Sequence, residues 1–131
     1  RATGSDVTFL ATGETVLPAW QARAFLEAEG VSCGVISVHS LRPLDVAALE
    51  AVTRSTQAIV TVEEHNVTGG LGSLVASHLM QAGLYRPLRI IGLPDQPVVT
   101  GSQVEVFEHY GITGPGLRAS ALALLKREPV R

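Results

Sequence analysis

The sequence predicts an α/β fold in which a mostly parallel sheet is covered by helices on both faces. Three observations predict it. Strand-like and helix-like stretches alternate four times, the order expected of βαβ units. The strand-like stretches are continuously apolar, as burial on both faces of a sheet requires. Hydrophobic residues make up 46% of the chain and charged residues 17%, which suits a doubly covered sheet or a domain that hides further surface against partners.

The first strand is read in DVTFLATG, Asp6 to Gly13, an apolar and β-branched run ended by glycine. In the LPAWQARAFLEAEG that follows, Leu17, Trp20, Ala24 and Ala28 recur at helical spacing and share one helical face, with Gly30 as the stop. VSCGVISV, Val31 to Val38, is a second strand. Asp45 is a suitable N-cap for VAALEAVTRS, in which Val46, Leu49 and Val52 face inward. AIVTV, Ala58 to Val62, is the third strand. A helix follows over Ser73 to Gly83, with Leu71, Val75, His78 and Leu79 on one side. PLRIIGLPD, Pro87 to Asp95, is a fourth strand closed by Pro94. QPVVTGSQ reads as loop, with Val98–Thr100 a weak candidate for a further short strand. VEVFEHYG is a short helix. The last helix starts near Pro115; Lys126 and Arg127 complement its dipole and Pro129 lies past its end.

At 131 residues the chain is expected to form a single domain, 1–131. A chain of this length buries roughly 68% of its unfolded surface, enough for one core without staples. The net charge of −2 comes without a Lys/Arg cluster, so there is no electrostatic footprint for nucleic acid or an anionic membrane. The single cysteine, Cys33, rules out an internal disulfide and reads as a small buried hydrophobe in CGVISV. No stretch reaches the ~18 apolar residues of a membrane span, and no signal-peptide core is visible. A cytoplasmic location is therefore expected. Residue 1 is Arg and the only methionine is Met80, so the chain is expected to be a fragment of a longer one.

The stretch that invites a chemical reading is AIVTVEEHNVTGGLGS, Ala58 to Ser73. It places Glu63, Glu64, His65 and the glycines Gly69, Gly70 and Gly72 at a strand-to-helix junction, the end of a parallel sheet where functional loops gather. Phosphate binding fits poorly. The order G-G-x-G is neither a dinucleotide fingerprint nor a P-loop, no lysine follows, and two carboxylates stand upstream. For a metal, Glu63 and His65 on one side of a strand supply two ligands, while His39, His78 and His109 are scattered. No G-x-S-x-G elbow exists for a nucleophilic serine. A Glu/His pair can do acid–base work only where other groups position a substrate, and the sequence shows none. The remaining reading is a tight turn: Gly69, Gly70 and Gly72 permit positive φ and close helix packing, with Ser73 as cap.

DVTFLATGETV, PLD at Pro43 to Asp45, AIVTVEEHNVTGGLGS, GLPD at Gly92 to Asp95, and TGSQVEVFEHYGIT with its closing amphipathic helix form an ordered series. The series resembles the C-terminal domain of the transketolase family of thiamine-diphosphate enzymes over roughly residues 5 to 126. TVEEH…GGLGS and YGIT are most like split-type transketolases, in which two subunits share the enzyme. The resemblance implies a three-layer α/β/α sandwich with a mostly parallel five-stranded mixed sheet, one strand antiparallel. It implies that thiamine diphosphate and Mg²⁺ are held in the complete enzyme by separate pyrimidine-binding and diphosphate-binding domains. The diphosphate grip resembles a G-D-G motif that this chain lacks.

The expectation is thus a non-catalytic domain that supports domain packing and homodimer assembly, with no catalytic, cofactor or metal residue of its own. The parent reaction would be two-carbon ketol transfer between sugar phosphates. Gly69, Gly70 and Gly72 would be structural, and Glu63, Glu64 and His65 partly exposed interdomain contacts. Alternatives within the family are the C-terminal domain of a deoxyxylulose-5-phosphate synthase or of a 2-oxo-acid dehydrogenase β subunit. Outside it stands a free-standing α/β binding module with a deep pocket lined by the Glu63–His65 loop.

Overall fold

Val7–Ala11 (β1) is buried at every position and lies in the middle of the sheet. Cys33–Ser37 (β2) pairs with it on one side, Ala58–Asn66 (β3) on the other, and Leu88–Leu93 (β4) pairs with β3, giving the order β2-β1-β3-β4. All three pairings are parallel, with Phe9 opposite Val35 and Val60. This computed structural model describes residues 4–39, 44–66, 69–93 and 101–126, and of residues 65 and 66 the backbone alone. The candidate fifth strand, Val98–Thr100, lies outside the described residues. Among those described, the sheet has four strands and all of them are parallel.

Five helices among the described residues cover the sheet: Val16–Ala28 (α1), Val46–Ser55 (α2), Leu71–Ala82 (α3), Gln103–His109 (α4) and Gly114–Leu124 (α5). Strand alternation divides the core in two. Val7, Phe9, Ala11, Val35, Val60 and Val62 pack against α1, Phe107 of α4, and α5. Leu10 and Ile59 point the other way, against Leu49 and Val52 of α2 and Leu71, Val75 and Leu79 of α3. The three layers follow directly. Asp45 caps α2 by accepting from the Ala48 N–H at 3.0 Å. Gly83 closes α3 in the left-handed region at φ +73°. Among the described residues no helix is long and apolar enough to cross a membrane.

An apolar stripe at helical spacing ordinarily marks the buried face of a helix. On α1 it does not. Leu17, Trp20, Ala24 and Ala28 all lie on the outer face, while Ala19, Ala22 and Leu26 are fully buried. Both faces of this helix are apolar, so periodicity alone does not say which one turns inward. Packing decides it: small Ala19 and Ala22 let α1 lie close to the sheet beside α5, where Arg118 Nε donates to Glu29 Oε1 at 2.7 Å. On α2, Leu49 and Val52 are buried as assigned, but Val46, the first residue of the helix, is 42% exposed.

Leu26→Ala is expected to cost about 2–5 kcal/mol through cavity formation, and Leu17→Ala less than about 0.5 kcal/mol. Urea unfolding of the two variants measures the difference. Equal losses would contradict this orientation of α1.

Candidate functional site

The chain order reverses between β1 and β3. From β1 it passes through α1 to β2 on one side, and β3 lies on the other. This is the switch point at which parallel α/β sheets open a crevice at their carboxyl ends. A short 3-10 turn, Gly13–Thr15, follows β1 and leans on β3: Thr12 N donates to Val62 O at 3.1 Å and Thr15 Oγ1 to the same oxygen at 3.0 Å. β3 continues beyond Val62, where its pairing with β1 stops, and carries Glu63 and Glu64 past the end of its neighbour.

Glu63 and Glu64 point in opposite directions, as adjacent strand residues must. Glu63 shares the α3 side with Ile59 and Thr61 and is only 1% exposed. Its Oε1 accepts from Leu71 N at 2.9 Å and its Oε2 from Gly72 N at 3.0 Å. A strand carboxylate therefore binds the first N–H groups of α3, where orphan donors and the positive end of the dipole stabilise a negative charge. The expectation of partial exposure is corrected for Glu63, and these two hydrogen bonds are the reason. Glu64, half-buried on the α1 side, places Oε1 beside Gly13, 2.6 Å from where a Cβ on that glycine would stand, and Gln103 Nε2 lies 3.4 Å from its Oε2. The two carboxylates do not share a site and cannot act as an acid–base pair. His65 is placed on β3 by its backbone.

The three glycines have three different tasks. Gly69 takes φ +78°, a conformation in which a Cβ is strained, and its N–H donates to Ser73 Oγ at 3.1 Å. Gly70 is the N-cap of α3, with extended backbone. Gly72 has ordinary φ, but a Cβ there would stand 2.4 Å from Ile90 Cγ2 and 2.8 Å from Thr61 Oγ1. Its bare backbone lets α3 approach the sheet closely enough for Glu63 to reach its N-terminus. Ser73 does not cap the helix as expected. α3 begins at Leu71, and Glu63 supplies the acceptor from another element.

Other groups offer little chemistry. Cys33 is buried, and burial, reinforced by the negative charge of Glu27, pushes its thiol pKa up to about 12. Such a thiol is a poor nucleophile at neutral pH. Among the described residues, no three His, Cys, Asp or Glu side chains converge as metal ligands would. A cavity of about 460 Å³ opens beside the carboxyl ends of β1 and β2, but its walls are Leu10, Ile36, Leu49, Val52, Leu71 and Val75, with His39 and Asp45 beside them. Glu63 and Glu64 do not line it.

A family model described as the transketolase C-terminal domain matches residues 1–117. The chain belongs to that family. It is 41% identical over 124 residues to an apulose-4-phosphate transketolase subunit of Phocaeicola vulgatus, covering 95% of this chain and 39% of that protein. It is also 41% identical over 125 residues to a 1-deoxy-D-xylulose-5-phosphate synthase of Heliobacterium modesticaldum, covering 95% of this chain and 18% of that enzyme. Among solved structures, a split-gene transketolase described as an inactive β4 tetramer superposes with TM-score 0.84 at 37% identity, over 98% of this chain and 41% of that one. This transketolase C-terminal domain thus spans about two fifths of the transketolase subunit it resembles and less than a fifth of the synthase.

Sequence reading missed the partner of Glu63. The available signal was parity: counting alternate residues from buried Ile59 puts Glu63 on the side of the following helix, whose glycine-rich start lacks a capping side chain. Glu63→Ala is expected to lower stability by about 2–4 kcal/mol, since it removes a charged cap and leaves two buried N–H groups without acceptors. Gly72→Ala should cost about 1–3 kcal/mol by overpacking against Ile90. Chemical denaturation measures both. If Glu63→Ala is as stable as the parent chain, the capping role fails. Cys33 should resist thiol reagents at pH 8 in the folded protein and react fully in denaturant. Rapid labelling of the native chain would contradict its burial.

Proposed function

We propose that this chain is the non-catalytic C-terminal domain of a transketolase-like thiamine-diphosphate enzyme, and that it supports domain packing and assembly of a cytoplasmic homodimer. The observation that carries the reading is the bond pair from Leu71 N and Gly72 N to Glu63. A diphosphate is held by oriented backbone donors, basic side chains or a metal. The glycine-rich loop after β3 has its helix donors taken by an internal carboxylate, whose negative charge would also repel a phosphate. The residues present therefore do not fit the diphosphate of thiamine.

In this reading the pyrimidine- and diphosphate-binding domains of the complete enzyme hold thiamine diphosphate and Mg²⁺. The similarity to a transketolase subunit favours two-carbon ketol transfer between sugar phosphates as the parent reaction. Equal identity to a deoxyxylulose-phosphate synthase supports a second parent within the same chemistry. Glu64 and His65, at the open end of β3, are proposed to meet the neighbouring domain, whereas buried Glu63 acts from within. A free-standing module built on this loop is disfavoured, since the 460 Å³ cavity is walled by other residues.

Isothermal titration of the chain with thiamine diphosphate and Mg²⁺ is expected to show no saturable heat at micromolar concentrations. Adding the remaining domains of the enzyme should raise the midpoint of thermal unfolding by mass action. Micromolar cofactor binding, or turnover of a ketose phosphate by this chain alone, would overturn the proposal.

A further inference from the structure

We draw no further inference here: the strongest candidate, the cavity of about 460 Å³ that α2 and α3 wall beside the carboxyl ends of β1 and β2, is lined chiefly by leucine, isoleucine and valine side chains, and nothing in the structure shows what fills it.

Discussion

The contact on which this domain most depends is the Glu63 carboxylate lodged against the start of α3. Burying a carboxylate is costly unless donors replace its water. Two main-chain N–H groups at 2.9 and 3.0 Å, aided by the dipole of α3, supply that replacement. The requirement then propagates. The helix must begin at Leu71 rather than two residues later, and its first turn must lie on the sheet. Gly72 must lack a Cβ, because Ile90 and Thr61 stand within 2.8 Å of where one would be. One hydrogen-bonded pair thus sets the start of α3, its distance from β3 and the position of β4 beneath it.

The same contact explains why a loop with the outward marks of an active site does not bring its two carboxylates together. Glu63, Glu64 and His65 are consecutive in sequence, but alternation along β3 sends the two carboxylates to opposite faces. One is consumed in capping, and the other rests against Gly13 near the edge of α4. The helix N-terminus, in other α/β proteins a ready anion site, already holds an anion belonging to the chain.

Much of the architecture was legible in the sequence because it is local. Val7–Ala11 and Ala58–Val62 are unbroken apolar runs, Asp45 caps α2 by a contact three residues away, and Gly83 ends α3 as glycine does elsewhere. The family of the chain was legible as well, through motifs in a fixed order. What escaped was set by long-range packing. The Glu63 cap joins residues eight and nine apart across two elements, and it is legible only when strand parity is combined with the missing cap of the next helix. The extension of β3 to Asn66 comes from its pairing with β4, where Asn66 stands opposite Leu93, and not from β propensity, which falls at Glu63.

The orientation of α1 shows where periodicity runs out. Leu17, Trp20, Ala24 and Ala28 form a regular stripe, and so do Ala19, Ala22 and Leu26. Hydrophobicity summed over side chains favours the first set for the interior, whereas the structure buries the second. The reason is steric. Beneath α1 lies a sheet surface already filled by Phe9, Val35 and Val60, and beside it α5 packs closely, so the space admits methyl groups and one leucine but not an indole. The bulky stripe is displaced outward as a consequence of a tight interior.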